Sequence, residues 1–254
     1  MTLTISARPA ESTHWYTKDG EPMYTVVGAN GKERPTTLRD ARKMSLVPSV
    51  TTILNVAAKP ALMQWMQRQV LMAALTLPKI DDETEEEYID RIIQDSKEQG
   101  RSAADAGTSI HESIQTFYEK GTISTHTQSV IACNHAISEH FGEQFWVCER
   151  SFAHDLGFGG KVDMYSDDIV IDIKTKEFEK ADEVKPYDDH LMQLAAYRVG
   201  LGMPTARCAN VFVSRSHPGV IAIHEWTDEE LMRGWSMFCA LLEYWTLKHS
   251  YDPT

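Results

Sequence analysis

The chain has 254 residues, 42% of them hydrophobic and 24% charged, close to ordinary globular composition, which argues against wholesale disorder. That length admits one large α/β domain with insertions as readily as two small domains. With Lys+Arg 25 against Asp+Glu 37 the net charge is −12, which disfavours a generally basic, polyanion-coating surface and leaves room only for a local basic groove.

Taken in order, residues 18–22 (KDGEP) and 28–35 (GANGKERP) carry turn chemistry between short β-prone pieces such as 24–27 (YTVV). They predict a small hairpin appendage over 1–45. Pro48 and Ser49 resemble a helix cap, and Lys59-Pro60 offers a second start, so helices are predicted over about 49–56 and 60–76. The acidic run 81–90 (DDETEEEYID) reads as a solvated helix start, since carboxylates favour that end of the dipole, and the helix it opens runs to Gly121. Another helix is predicted near 126–142. From Phe145 the period changes: FWVCERSFAHD, GFGGKVDMYSDD and IVIDIKTKE predict three neighbouring antiparallel strands. A helix (PYDDHLMQLAAYRVGLG), two strands (RCANVFVSR and GVIAIHEW) and an amphipathic helix over about 228–248 follow, with no internal repeat.

Within IVIDIKTKE, alternation puts Ile169, Ile171 and Ile173 on one face and Val170, Asp172 and Lys174 on the other. Burying a single unpaired charge costs several kcal/mol, so two together need mutual compensation, solvent or a metal. An ion pair on the wet face of an edge strand and a functional site both satisfy this. In GGKVDMY, Val162 and Met164 are expected on one face and Asp163 on the other, and the turn 166–168 folds the second strand back so that Asp163 approaches Asp172. Two close carboxylates repel; a raised pKa or a hard divalent cation is the remedy, and magnesium is the simplest choice. A lysine beside the cation orients or helps deprotonate a water and stabilises charge on a phosphoryl oxygen.

The run GGKVDMYSDDIVIDIKT, an aspartate, a short hairpin and then Asp-x-Lys, resembles the PD-(D/E)XK nucleases, specifically the RecB-like exonuclease branch. The resemblance implies an α/β (α+β) fold with a restriction-endonuclease-like core: a central mixed β-sheet flanked by helices. The nuclease domain would cover 46–254, with a helical arch section over about 46–143, a catalytic core over about 144–226 and a C-terminal helix over about 228–250. It further implies that Asp163, Asp172 and the backbone carbonyl of Ile173 bind Mg2+ or Mn2+ and that Lys174 is the catalytic lysine. GTSIHESI resembles the family's upstream histidine helix, making His111 a metal ligand, with Gly107 one turn earlier leaving room for close approach. HLMQLAAY resembles the glutamine-x-x-x-tyrosine helix and adds Gln193 and Tyr197 to the catalytic set; an ordinary amphipathic helix gives the same spacing. Glu149 sits where such enzymes carry a glutamate on the strand before the aspartate hairpin.

PSVTTILNVAAKPALMQW resembles the leading segment of phage members and of the mitochondrial genome maintenance exonuclease in this branch. Ser49, Thr51 and Thr52 at a helix start offer hydroxyls and free backbone amides to a DNA phosphate, although plain N-capping explains the same residues with no ligand and is the preferred role for Ser49. Lys59, Arg68 and Trp65 are placed along a strand channel, and Glu149 joins the substrate-binding candidates.

The expected function is a Mg2+- or Mn2+-dependent deoxyribonuclease, an exonuclease acting on DNA ends or single strands in recombination, repair or phage DNA processing. A structure- or sequence-specific endonuclease and a non-catalytic DNA-end-binding recombination subunit are the alternatives. DNA is the partner, with a recombination or replication protein as a further one; neither pathway nor oligomeric state is marked. Cys133, Cys148, Cys208 and Cys239 are scattered and lack the spacing of the four-cysteine iron-sulfur relatives, so no cluster is expected. No apolar run approaches the ~20 residues of a membrane span, and MTLTISARPAES lacks the plan of a signal peptide. A cytoplasmic setting follows as the expectation.

Overall fold

Between Val147 and Trp226 short apolar and alternating runs bounded by turn residues fold into five strands, and the segments of longer period fold into the helices that cover them. The structure is a computed structural model describing residues 14–254. Residues 1–13 of the expected appendage, which include the stretch read against a signal peptide, lie outside the described residues.

The N-terminal part holds the short strands β1 (Trp15–Tyr16), β2 (Thr25–Val27) and β3 (Glu33–Pro35), helix α1 (Leu38–Met44), β4 (Val47–Pro48) and α2 (Val50–Leu54). β2 and β3 form the small hairpin, and β1 pairs with β4. Helix α1 was not predicted; Thr37 and Asp40 form a capping box at its start. Trp15, Ala41 and Leu46 are buried in the main core, Trp15 edge-on to Trp245. The long helices α3 (Pro60–Thr76) and α4 (Glu85–Lys120) pack on each other, followed by α5 (Thr127–Phe141). Thr84 and Glu87 close a capping box on α4, the triple glutamate fills its first turn, and Gly121 ends it with a left-handed backbone. Along α3, Leu62, Met63, Met66, Leu71 and Leu75 are exposed despite being apolar.

The sheet comprises β5 (Val147–His154), β6 (Phe158–Tyr165), β7 (Ile169–Lys176), β8 (Arg207–Ser214) and β9 (Ile221–Trp226), in that order. The first three are antiparallel neighbours, as the turn residues predicted. β7 and β8 run parallel because α6 (Asp188–Gly200) makes the crossover between them, and β9 returns antiparallel. α7 (Asp228–His249) closes the chain. The sheet is therefore mixed, as expected. One core joins α2, α6 and α7 to Val162, Val170 and Cys208; the other joins α4 and α5 to Met164, Ile171 and Val211. Among the described residues no helix is long and apolar enough to cross a membrane.

Two expectations are corrected. β7 is an interior strand and Asp172 is 1% exposed, so the wet face of an edge strand does not exist there. Val162 and Met164 fall in opposite cores rather than on one face. The pleat breaks between them, where Asp163 and Glu149 have no bridge in the β5–β6 ladder and Glu149 takes a left-handed backbone, φ 56°.

Candidate active site

The break in the pleat places the polar residues. The β6–β7 ladder contains Tyr165–Val170 and Met164–Ile171 and then stops. At the next position the Asp163 carboxylate replaces the backbone partner, accepting the Ile173 N–H at 2.7 Å through Oδ2. The same oxygen lies 3.1 Å from His111 Nε2 on α4. That approach depends on Gly107, one turn earlier: a Cβ there would stand 2.5 Å from Thr175 Oγ1 on β7. Glu149, unbridged in the β5–β6 ladder like Asp163, completes a group with His111 and Asp163 whose ligand atoms lie within 4.8 Å of one another. Two carboxylates and an imidazole are a donor set suited to a divalent cation. Lys161 pairs with Glu149 and balances part of the charge.

Asp172 lies outside that trio. Its Oδ1 accepts from Lys174 Nζ at 2.9 Å and its Oδ2 from Asn210 Nδ2 at 2.7 Å. Burial, opposed by the Lys174 ammonium and reinforced by the Asp163 charge, pushes the Asp172 carboxyl up to about 6. Burial acts on Asp163 in the same sense, but the hydrogen bond and charge of His111 outweigh it and hold that carboxyl below its ordinary range. His111 gains in return: burial disfavours its charged form, yet contact with Asp163 raises it. Lys174 is likewise raised, because Asp172 and Asp163 overcome the cost of burial. Without a cation beside it, Lys174 is therefore held as an ammonium donor.

Lys174 opens into a cleft of about 530 Å3 walled by Leu62 and Trp65 of α3, Gly107 and His111 of α4, Thr175 of β7 and Arg215 after β8. Arg215 is tied to the Ala103 carbonyl of α4. Behind the carboxylates, Gln193 Nε2 donates to Tyr197 Oη at 2.8 Å, both side chains buried on α6. Burial, then the charges of Asp172 and Asp163, raise the Tyr197 hydroxyl well above its ordinary value.

The structure thus brings together His111, Asp163, Asp172, Ile173 and Lys174, with Gln193 and Tyr197 one layer behind. Glu149, expected among substrate contacts, lies between the paired positions Cys148–Met164 and Arg150–Val162, with its carboxylate in the group with His111 and Asp163 that could hold a metal ion. Ser49 caps α2, its hydroxyl accepting from Thr52 N at 3.0 Å and donating to Thr52 Oγ1 at 2.8 Å. Ser49 and Thr51 line a separate cavity of about 240 Å3 with Tyr16, Tyr24, Lys161 and Tyr197; the Thr52 side chain is buried. Lys59 pairs with Asp189 at 3.5 Å beside another cavity, and Arg68 is exposed on α3; neither lines the cleft at Lys174. Asn210, Trp226, Lys161 and Arg215 were not singled out beforehand. Only the basic SRS step at the end of β8 hinted at Arg215.

No protein-family model and no curated protein matches the chain. Solved structures with some likeness include an alkaline exonuclease (LHK-Exo) from Laribacter hongkongensis, 16% identical over 74% of this chain and 98% of that one, TM-score 0.36. LHK-Exo in complex with dAMP gives 16% identity over 79% and 90%, TM-score 0.35. SSO0001 gives 17% over 71% and 86%, TM-score 0.27.

Proposed function

We propose that the chain is a divalent-metal-dependent deoxyribonuclease of the PD-(D/E)XK kind, an exonuclease acting on DNA ends. The observation that carries this reading is the junction of two pieces. One is a carboxylate–imidazole group, His111, Glu149 and Asp163. The other is Asp172 paired with Lys174 at 2.9 Å, opening on a cleft. A structural ion pair needs no cleft, and a carboxylate cluster without a purpose carries a repulsive cost.

Asp163, His111 and Glu149 would hold Mg2+ or Mn2+, with Asp172 and the Ile173 carbonyl reached from the adjoining strand. The ion would polarise the scissile phosphate and lower the pKa of the attacking water. Lys174, kept as an ammonium, donates to that water or to the charged phosphoryl oxygens. His111 must be neutral to ligate, so its proton leaves as the ion arrives. Gln193 and Tyr197, hydrogen-bonded to each other, would brace the lysine or a strand phosphate and so set substrate orientation.

The test is digestion of 5′- and 3′-labelled single-stranded and duplex DNA, beside a closed circle, with and without Mg2+ or Mn2+. Metal-dependent loss of linear DNA, an intact circle and a Lys174→Ala rate lower by about 10²-fold or more are the expected results. Nicking of the circle would replace the exonuclease by an endonuclease. Binding of ends with no turnover in any metal would leave an end-recognition subunit. Cleavage untouched by chelator or by Asp163→Asn would overturn the metal-dependent reading altogether.

A further inference from the structure

Asn210 is 0% exposed, in the middle of β8, directly beside Asp172 in the parallel register of β7 and β8. A buried primary amide must find partners for both its halves, because a polar group stripped of water and left unpaired destabilises the fold. Here it has two: Nδ2 donates to Asp172 Oδ2 at 2.7 Å, and Oδ1 accepts from the indole Nε1–H of Trp226 at 2.8 Å. Trp226, 8% exposed, ends β9.

The chemistry of the three groups gives this chain of bonds one direction. An indole N–H can only donate and an ionised carboxylate can only accept. The amide between them has a single orientation that satisfies both; turned over, it would set N–H against N–H and oxygen against oxygen. Trp226 therefore fixes Asn210, and Asn210 presents a donor to Asp172. With Lys174 on the other oxygen at 2.9 Å, the carboxylate plane is held from both sides. Each oxygen retains a further lone pair for a cation.

We propose that Asn210, oriented by Trp226, is a positioning residue of the nuclease site, locking the plane of the Asp172 carboxylate for cation and substrate. This rests on the reading of Asp172 as a catalytic carboxylate. The competing explanation is a polar network that serves the fold alone. The two differ in what they move: a fold-only network changes stability, whereas a positioning network changes turnover and metal demand in folded protein.

The experiment measures kcat, KM for end-labelled DNA and half-saturating Mn2+ for the full chain carrying Asn210→Leu, Trp226→Phe, both together, or Asp172→Asn, at a temperature where each variant is folded by circular dichroism. Asn210→Leu should lower kcat or raise half-saturating Mn2+ by roughly 10–100-fold with KM for DNA nearly unchanged. Trp226→Phe should move the same parameters in the same direction by less. The double variant should be no worse than Asn210→Leu, because Trp226 acts through the amide. If Asn210→Leu does not fold, Trp226→Phe decides alone. Folded variants within about twofold of the parent in both kcat and Mn2+ demand, or two effects that multiply independently, would overturn the proposal. If Asp172→Asn itself cleaves normally, the catalytic reading of Asp172 fails first; if it abolishes cleavage while the Asn210 and Trp226 variants stay normal, only the positioning role is lost.

Discussion

Glu149 combines two costs in one residue: a left-handed backbone, φ 56°, and a carboxylate set against Asp163. For a residue with a Cβ the left-handed conformation costs of order 1–2 kcal/mol. Glycine at 149 would relieve that strain and remove a candidate ligand at once. Glu149→Gly is therefore expected to keep its unfolding free energy within about 1 kcal/mol of the parent, or above it, while half-saturating Mn2+ rises at least about tenfold; urea unfolding and metal titration measure the two separately. A second residue-scale prediction follows from Asp172, whose carboxyl is raised from 3.8 to about 6. A carboxyl raised in the folded state stabilises most at low pH, and that contribution is lost as pH rises through about 6. Asp163, held low, has the opposite sign: its contribution is present above 3.8 and lost as pH falls. A cation relieves the repulsion that appears at high pH and competes with the protons on Asp172 and His111 at low pH. The midpoint shift produced by Mn2+ in thermal unfolding should thus be larger at pH 8 than at pH 5.5; an equal shift at both would contradict the assignment. Residue by residue, the sequence betrayed Asp172 and Lys174 because two charges interrupt an apolar run. Asn210 and Trp226 gave no such sign, since the register joining them to Asp172 passes through a parallel pair separated by a helix.

Helix α4 carries His111 to the sheet with Gly107 set against Thr175, where a methyl group would meet Oγ1 at 2.5 Å. Gly107→Ala should push α4 away from β7, with a cost of about 1–3 kcal/mol from overpacking offset in part by alanine's higher helix propensity, and should raise the metal requirement by moving His111. Adding Thr175→Ala removes the offending hydroxyl and should recover most of both effects; failure to recover would mean that α4 is placed by other contacts. The bounds of α3 and α4 were legible because Pro60 and Gly121 punctuate them. Helix α1 was missed because its only buried residue is Ala41, so no apolar period marks it, although the Thr37–Asp40 box was present. The reversal of faces between Val162 and Met164 was also hidden, since strict alternation predicts one face and nothing in the Glu149 side chain announces a left-handed backbone.

On the scale of the whole molecule, the proposed function requires a net charge of −12 to coexist with an anionic substrate. The groups that offset it in the cleft are Lys174 and Arg215, together with the cation that the carboxylates would hold. Metal-free binding to DNA should therefore be weak and fall steeply with salt, and Ca2+, a hard oxygen-seeking ion, should tighten it; fluorescence anisotropy at several salt concentrations measures both. Tight binding in chelator at physiological salt would remove the role given to the ion. From α2 onward the order of helices and strands was legible from period changes and turn residues alone. The integration of Trp15 and Ala41 into the main core was not, because it depends on long-range packing against α7 rather than on local pattern. The most direct measurement of the central claim is an anomalous difference map from crystals of this chain soaked in Mn2+. The expected result is a peak within coordination distance of an Asp163 carboxylate oxygen, within reach of His111 and Glu149 and on the side facing Asp172. A peak only at surface carboxylates, with Asp163 still bound only to His111 and the Ile173 N–H, would contradict the account.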